Sequence, residues 1–117
     1  MLQHVALEVR RADAERCADF WALLGFTRVD PPGELGERSL WLQHDGTQVH
    51  LLFAEEPVPS PSGHAALVVA DYEATVSTLR EAGFDPEPRP EHWGAARAFV
   101  RDPAGHRIEI MEFSPTR

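Results

Sequence analysis

The sequence predicts an α+β protein made of two copies of a strand-helix-strand-strand-strand unit, βαβββ, and three observations carry that prediction. An alternating, β-rich stretch opens each half, at residues 4–9 and 64–69, and each is followed by a segment with the apolar spacing of a helix. Both helical segments stop at a Gly-Phe pair, Gly25-Phe26 and Gly83-Phe84, and both halves end in a hairpin with a turn glycine, Gly46 and Gly105. The offsets agree: His4 to His64 is 60 residues, Asp13 to Asp71 and Gly25 to Gly83 are 58, and Gly46 to Gly105 is 59. An insertion at Arg10-Arg11 accounts for the first change, and the repeat lies in patterning more than in identity.

In the first unit, Val5, Leu7 and Val9 should face a core, leaving His4, Ala6 and Glu8 on the opposite face. Asp13 is the expected N-cap of a helix whose apolar stripe runs through Ala14, Cys17, Ala18, Phe20, Trp21 and Leu24 to the C-cap at Gly25. Residues 26–29 read as a short strand ended by Pro31-Pro32-Gly33. Strands at 39–43 and 47–53 then flank His44-Asp45-Gly46, a hairpin signal. Trp21 and Trp41 read as core residues.

Residues 1–55 thus make the first unit, proline-rich residues 56–63 a linker, and residues 64–117 the second unit of one domain. Asp71 caps a second helix with Tyr72, Val76 and Leu79 on one side. Residues 84–89 are at best an edge strand interrupted by proline. Strands at 97–101 and 106–113 close the second hairpin around Asp102-Pro103-Ala104-Gly105. Ile108 and Ile110 share one face of the last strand, and Arg107, Glu109, Met111 and Phe113 share the other.

At 117 residues and 43% hydrophobic content, the chain suffices for one compact domain or two small units, not for two independent domains. A net charge of −8 without a basic run argues against nucleic-acid binding. With Cys17 alone no internal disulfide forms, and no signal-peptide pattern or membrane-spanning run is seen. The expectation is a cytoplasmic protein with no membrane partner.

Superposing the halves places His4 on His64 near the start of each first strand, and His50 on Glu109, each four residues after its turn glycine. Parity puts all four on the face opposite the helices. Imidazole and carboxylate suit a borderline divalent metal such as zinc, iron, nickel or manganese. A lone strand histidine is more often a hydrogen-bonded or surface residue than a ligand, but two repeat-equivalent positions favour the ligand reading. His44 in a turn, His92 in a loop and His106 on the helix-facing parity read as non-ligands, and Glu8 as a solvated strand end.

With those residues placed, the sequence resembles the vicinal oxygen chelate superfamily of glyoxalases, bleomycin-resistance proteins, fosfomycin-resistance proteins and type I extradiol dioxygenases. The resemblance covers nearly the whole chain. It rests on His4, Phe20-Trp21, Leu24-Gly25-Phe26, His64, Trp93-Gly94 and the run Arg101-Asp102-Pro103-Ala104-Gly105-His106-Arg107-Ile108-Glu109. It implies an incomplete barrel, a concave mixed sheet with helices outside, around a divalent metal (Ni, Zn, Fe or Mn) held by His4, His64 and Glu109. His50 falls on the fourth ligand position and is either ligand or base; Glu109 is both ligand and candidate base.

The resemblance further implies a small-molecule substrate with vicinal oxygens, a Lewis-acid role for the metal, and a homodimer. Trp93 and Phe99 are the expected cleft aromatics, and Arg97 either orients an anionic or carbonyl group or pairs with an acid. The function expected is that of a glyoxalase-like, metal-dependent lyase or isomerase. One alternative is an Fe(II) extradiol dioxygenase using His4, His64 and Glu109 as its facial triad. Another is a metal-free, bleomycin-resistance-type drug binder, with Trp41, Trp93 and Phe99 lining a cleft for a cationic ligand. Fosfomycin resistance fits less well, since Ala6, Trp93 and Arg97 stand where hydroxyl side chains would be needed.

Overall fold

Alternating strands and two short amphipathic helices give the βαβββ order twice. A computed structural model describes residues 1–116. The first unit, Met1–Pro59, holds β1 (His4–Val9), α1 (Ala14–Ala22), β2 (Thr27–Val29), β3 (Ser39–His44) and β4 (Thr47–Phe53). The second begins at Ser60 and holds β5 (Ala65–Val68), α2 (Tyr72–Glu81), β6 (Glu87–Pro88), β7 (Arg97–Arg101) and β8 (Arg107–Met111). Each unit forms its own four-stranded mixed sheet, ordered β1-β4-β3-β2 and β5-β8-β7-β6. The first and last strands of each unit are parallel neighbours, while the remaining pairs are antiparallel.

Two local devices recur. Each helix ends with a glycine at positive φ, 93° at Gly25 and 94° at Gly83. The next residue's N–H reaches back into the helix, Phe26 to the Trp21 carbonyl at 3.1 Å and Phe84 to the Leu79 carbonyl at 3.0 Å. These bonds satisfy carbonyls that the helix leaves open. The N-termini differ. Asp71 accepts the Ala74 N–H at 3.0 Å as a true cap. Asp13 makes no capping bond, because its carboxylate turns to Arg16 instead and a 3₁₀ turn at Arg11–Asp13 leads into the helix.

The hairpins set the register. Asp45 and Gly46 both have positive φ, 48° and 82°, as a two-residue type I′ turn requires. His44 therefore faces Thr47, and Trp41 faces His50. Between β7 and β8, Asp102 Oδ1 accepts the N–H groups of Ala104 at 3.0 Å and His106 at 2.8 Å, fixing a longer turn that places Phe99 opposite Glu109. Residues 30–38, between β2 and β3, contain a 3₁₀ turn at Gly33–Glu37.

The helix-facing parity carries most of the core, with Val5 and Leu7 only half-buried, while His50, Glu109 and Met111 on the opposite face are buried as well. In the first unit Val9, Cys17, Phe20, Trp21, Val49 and Leu51 are buried. In the second Val76, Leu79, Ala98, Val100, Ile108 and Ile110 are buried. No helix among the described residues is long and apolar enough to cross a membrane.

Candidate functional site

Parallel pairing of first and last strands brings the repeat-equivalent polar residues together within each unit. In the first unit Ala6 is the β1 partner of His50, so His4 lies diagonally beside it on the same face. The two imidazoles stack at 4.1 Å between centroids and 16° between planes. On its other side His50 lies flat on Trp41, at 3.7 Å and 5°. The outcome is a three-ring stack. His50 is buried, and burial first, then the neighbouring His4 charge, hold its pKa below the ordinary 6.5.

In the second unit Ala66 is the β5 partner of Glu109, and His64 precedes it by two residues. His64 Nε2 faces Glu109 Oε1 at 3.0 Å, and Arg97 Nη1 donates to Oε2 at 3.1 Å. Arg97 Nε also donates to the Pro90 carbonyl at 2.8 Å, so the guanidinium is anchored at two points. Glu109 is 6% exposed. A carboxylate so buried needs charge compensation, and Arg97 supplies it.

The remaining hydrogen bonds select tautomers. The Gln3 side-chain oxygen accepts from His4 Nδ1 at 2.6 Å, that of Gln48 from His50 Nε2 at 2.8 Å, and the Ser62 carbonyl from His64 Nδ1 at 2.8 Å. This leaves His4 Nε2, His50 Nδ1 and His64 Nε2 as the nitrogens with lone pairs in the neutral rings. His64 Nε2 and Glu109 Oε1 are then two acceptors in contact, an arrangement that calls for a cation between them, either a proton or a metal ion. Two imidazoles in the first unit, and an imidazole beside a carboxylate in the second, are donor types that suit a borderline divalent ion. Among the described residues, however, no group of three or more His, Cys, Asp or Glu side chains is gathered closely enough to hold a metal ion. Each unit holds its own pair.

Residues 1–110 match the Glyoxalase/Bleomycin resistance protein/Dioxygenase superfamily. The chain belongs to that superfamily. Among solved structures, a Bacillus anthracis protein assigned to the glyoxalase family has a TM-score of 0.87 at 23% identity, with 97% of this chain and 95% of that one covered. The oxidase ChaP-H2 gives 0.77 at 23%, covering 97% and 94%. Lactoylglutathione lyase from Agrobacterium tumefaciens gives 0.71 at 18%, covering 95% and 92%. At such identities the likeness is one of fold. None of the curated proteins matches the chain.

In this superfamily member the other predicted residues take distinct places. Arg97 pairs with an acid, and that acid is Glu109 itself. Trp93 is half-buried, donates Nε1–H to the Phe113 carbonyl at 2.8 Å, and lies 5.7 Å from the Arg97 guanidinium. Phe99 lies 5.1 Å from His64 and opposite Glu109. His44, in its turn, packs 5.4 Å from Phe26. Glu8 is exposed but accepts the Val58 N–H at 3.1 Å, so it also ties down the segment after β4.

Trp41 corrects the expectation of a core residue. It faces His50 and is half-buried, because counting back from the Asp45-Gly46 turn puts it on the face that carries His50. That signal was present in the sequence, since a two-residue turn fixes the register outright. The bonds from Gln3 and Gln48 had no such signal.

Proposed function

We propose that this protein is a glyoxalase-type, metal-dependent lyase or isomerase acting on a small molecule with vicinal oxygens, and that His4, His50, His64 and Glu109 are its metal ligands. The observation that supports this most is the pairing: at both repeat-equivalent pairs of positions, the two side chains touch. A divalent ion bound by them would act as a Lewis acid on the substrate oxygens.

The chain's own groups fit this role. A histidine ligand must be unprotonated, and burial together with His4 keeps His50 so at neutral pH. Trp41 fixes the plane of the His50 ring. Arg97 is a positioning residue that holds Glu109 by one oxygen while the other is directed to His64. Glu109 is the carboxylate assigned to proton movement between adjacent substrate carbons, with His50 as the other candidate base. The working form is taken to be a homodimer.

One observation favours a second reading. The Arg97–Glu109 ion pair already neutralises the buried carboxylate without a metal, as a metal-free binding protein would need. Elemental analysis of protein purified without chelator or affinity tag decides between them, with His64→Ala and Glu109→Ala alongside. About one equivalent of transition metal per chain, lost in both variants, supports the enzyme. Iron directs assays to catechols, and nickel or zinc to 2-oxoaldehyde adducts. Protein that stays metal-free after incubation with each ion sinks the enzyme reading in favour of binding.

A further inference from the structure

The second unit has a recess of about 540 Å³ that the proposed ligands do not account for, lined in part by Asp85, Glu87, Arg89, Phe99, Arg101 and Arg107. Three arginines here stand out in a chain of net charge −8. Their partners are unequal. Arg89 is paired with Glu87 at 3.1 Å. Arg101 donates only to a neutral acceptor, the Gly105 carbonyl, at 2.8 Å. The Arg107 guanidinium lies over the Phe99 ring at 4.7 Å, and the side chain has no hydrogen bond or ion pair among the described residues.

The register sharpens this. Arg101 and Arg107 are directly opposite each other across β7 and β8. Like charges in that position repel and destabilise a sheet. An anion shared between them turns the repulsion into two charge-assisted contacts. By strand parity both lie on the face that carries Glu109, with Arg107 two residues, about 7 Å, along the same strand. Phe99, opposite Glu109, provides an aromatic floor between the two places.

We infer that Arg101 and Arg107 form an anion subsite that takes a carboxylate or phosphate group of the substrate, with the substrate's planar part against Phe99. This rests on the reading of Glu109 as part of the reaction centre. It narrows the substrate class to small molecules whose vicinal oxygens lie roughly 7 Å from an anionic group. Asp85 is the lining carboxylate without an ion pair among the described residues, and it opposes the anion.

The test is a titration of the metal-free and metal-loaded protein with inorganic phosphate and, separately, acetate, at constant ionic strength, following backbone amide NMR signals of Arg101 and Arg107. Saturable shifts with either anion are expected in both forms, and the tighter one tells phosphate from carboxylate. Arg107→Met should weaken binding about tenfold or more. Arg107→Lys, which keeps the charge but not the planar fork, should fall between. Asp85→Asn should tighten binding. The subsite is overturned if neither anion saturates, if Arg107→Met binds like the parent, or if Asp85→Asn weakens binding, which would mark a site for a cation. Anion binding without metal binding would overturn only the metalloenzyme reading; metal binding without anion binding would overturn only the subsite.

Discussion

Glu109 concentrates the chemistry of the second unit because both its oxygens are engaged in a nearly dry setting. Its side chain is 8% exposed and that of Arg97 12%. Removing one member of a buried ion pair costs roughly 3–5 kcal/mol. His64 still faces Oε1, so Arg97→Met should lose about 3 kcal/mol, read as a lower urea midpoint at unchanged slope. Arg97→Lys should recover only part, since one ammonium cannot serve both Pro90 and Glu109 in the guanidinium's geometry. His50 gives a pH prediction. Its folded pKa is lowered from 6.5, so in the window just below 6.5 the unfolded chain binds a proton that the native state refuses. Stability is then full above that window and falls as pH drops through it. His50→Gln should flatten this part of the stability profile in urea titrations between pH 7 and 5, whereas an unchanged slope would remove His50 as its source.

At the scale of elements, the two helix ends offer a matched comparison. Gly25 and Gly83 have nearly the same positive φ, so alanine brings the same backbone strain to both, about 1–2 kcal/mol. Their surroundings differ. A Cβ at Gly25 would meet the His44 ring at 3.3 Å, and one at Gly83 would meet nothing within 4 Å. Gly25→Ala should therefore be the more destabilising, by thermal or urea unfolding, and the difference measures the His44 contact. Equal losses would mean that the His44 ring moves aside freely. The turns act on the site from a distance: Asp45-Gly46 sets His50 against Trp41, and the Asp102 turn sets Glu109 against Phe99. A shift of either register by one residue would move His50 or Glu109 to the helix-facing side.

For the molecule as a whole, repetition is the organising fact. Two βαβββ units each carry one pair of polar residues at the same places, so ligands that bind those pairs stabilise the native state by mass action. Nickel or zinc at about 100 times its dissociation constant should add about 2.7 kcal/mol. In a chain of 117 residues that is a rise in Tm of about 10 °C. His64→Ala and Glu109→Ala should show no such rise in differential scanning fluorimetry. A shift that persists in both variants would place the metal elsewhere.

What the sequence determined by itself is local. Alternation put His4, His50, His64 and Glu109 on the face away from the helices, turn chemistry marked the hairpins, and glycines ended both helices, because each depends on neighbours a few residues apart. The repeat and the family resemblance were legible for the same reason. Tertiary structure decided who touches whom. His64 meets Glu109 across 45 residues of chain through the parallel β5–β8 pairing, and Arg97 pairs with the buried Glu109 rather than with a surface acid. Parity assigns a side chain to a face, but only strand order and register, set by packing far along the chain, assign it a neighbour.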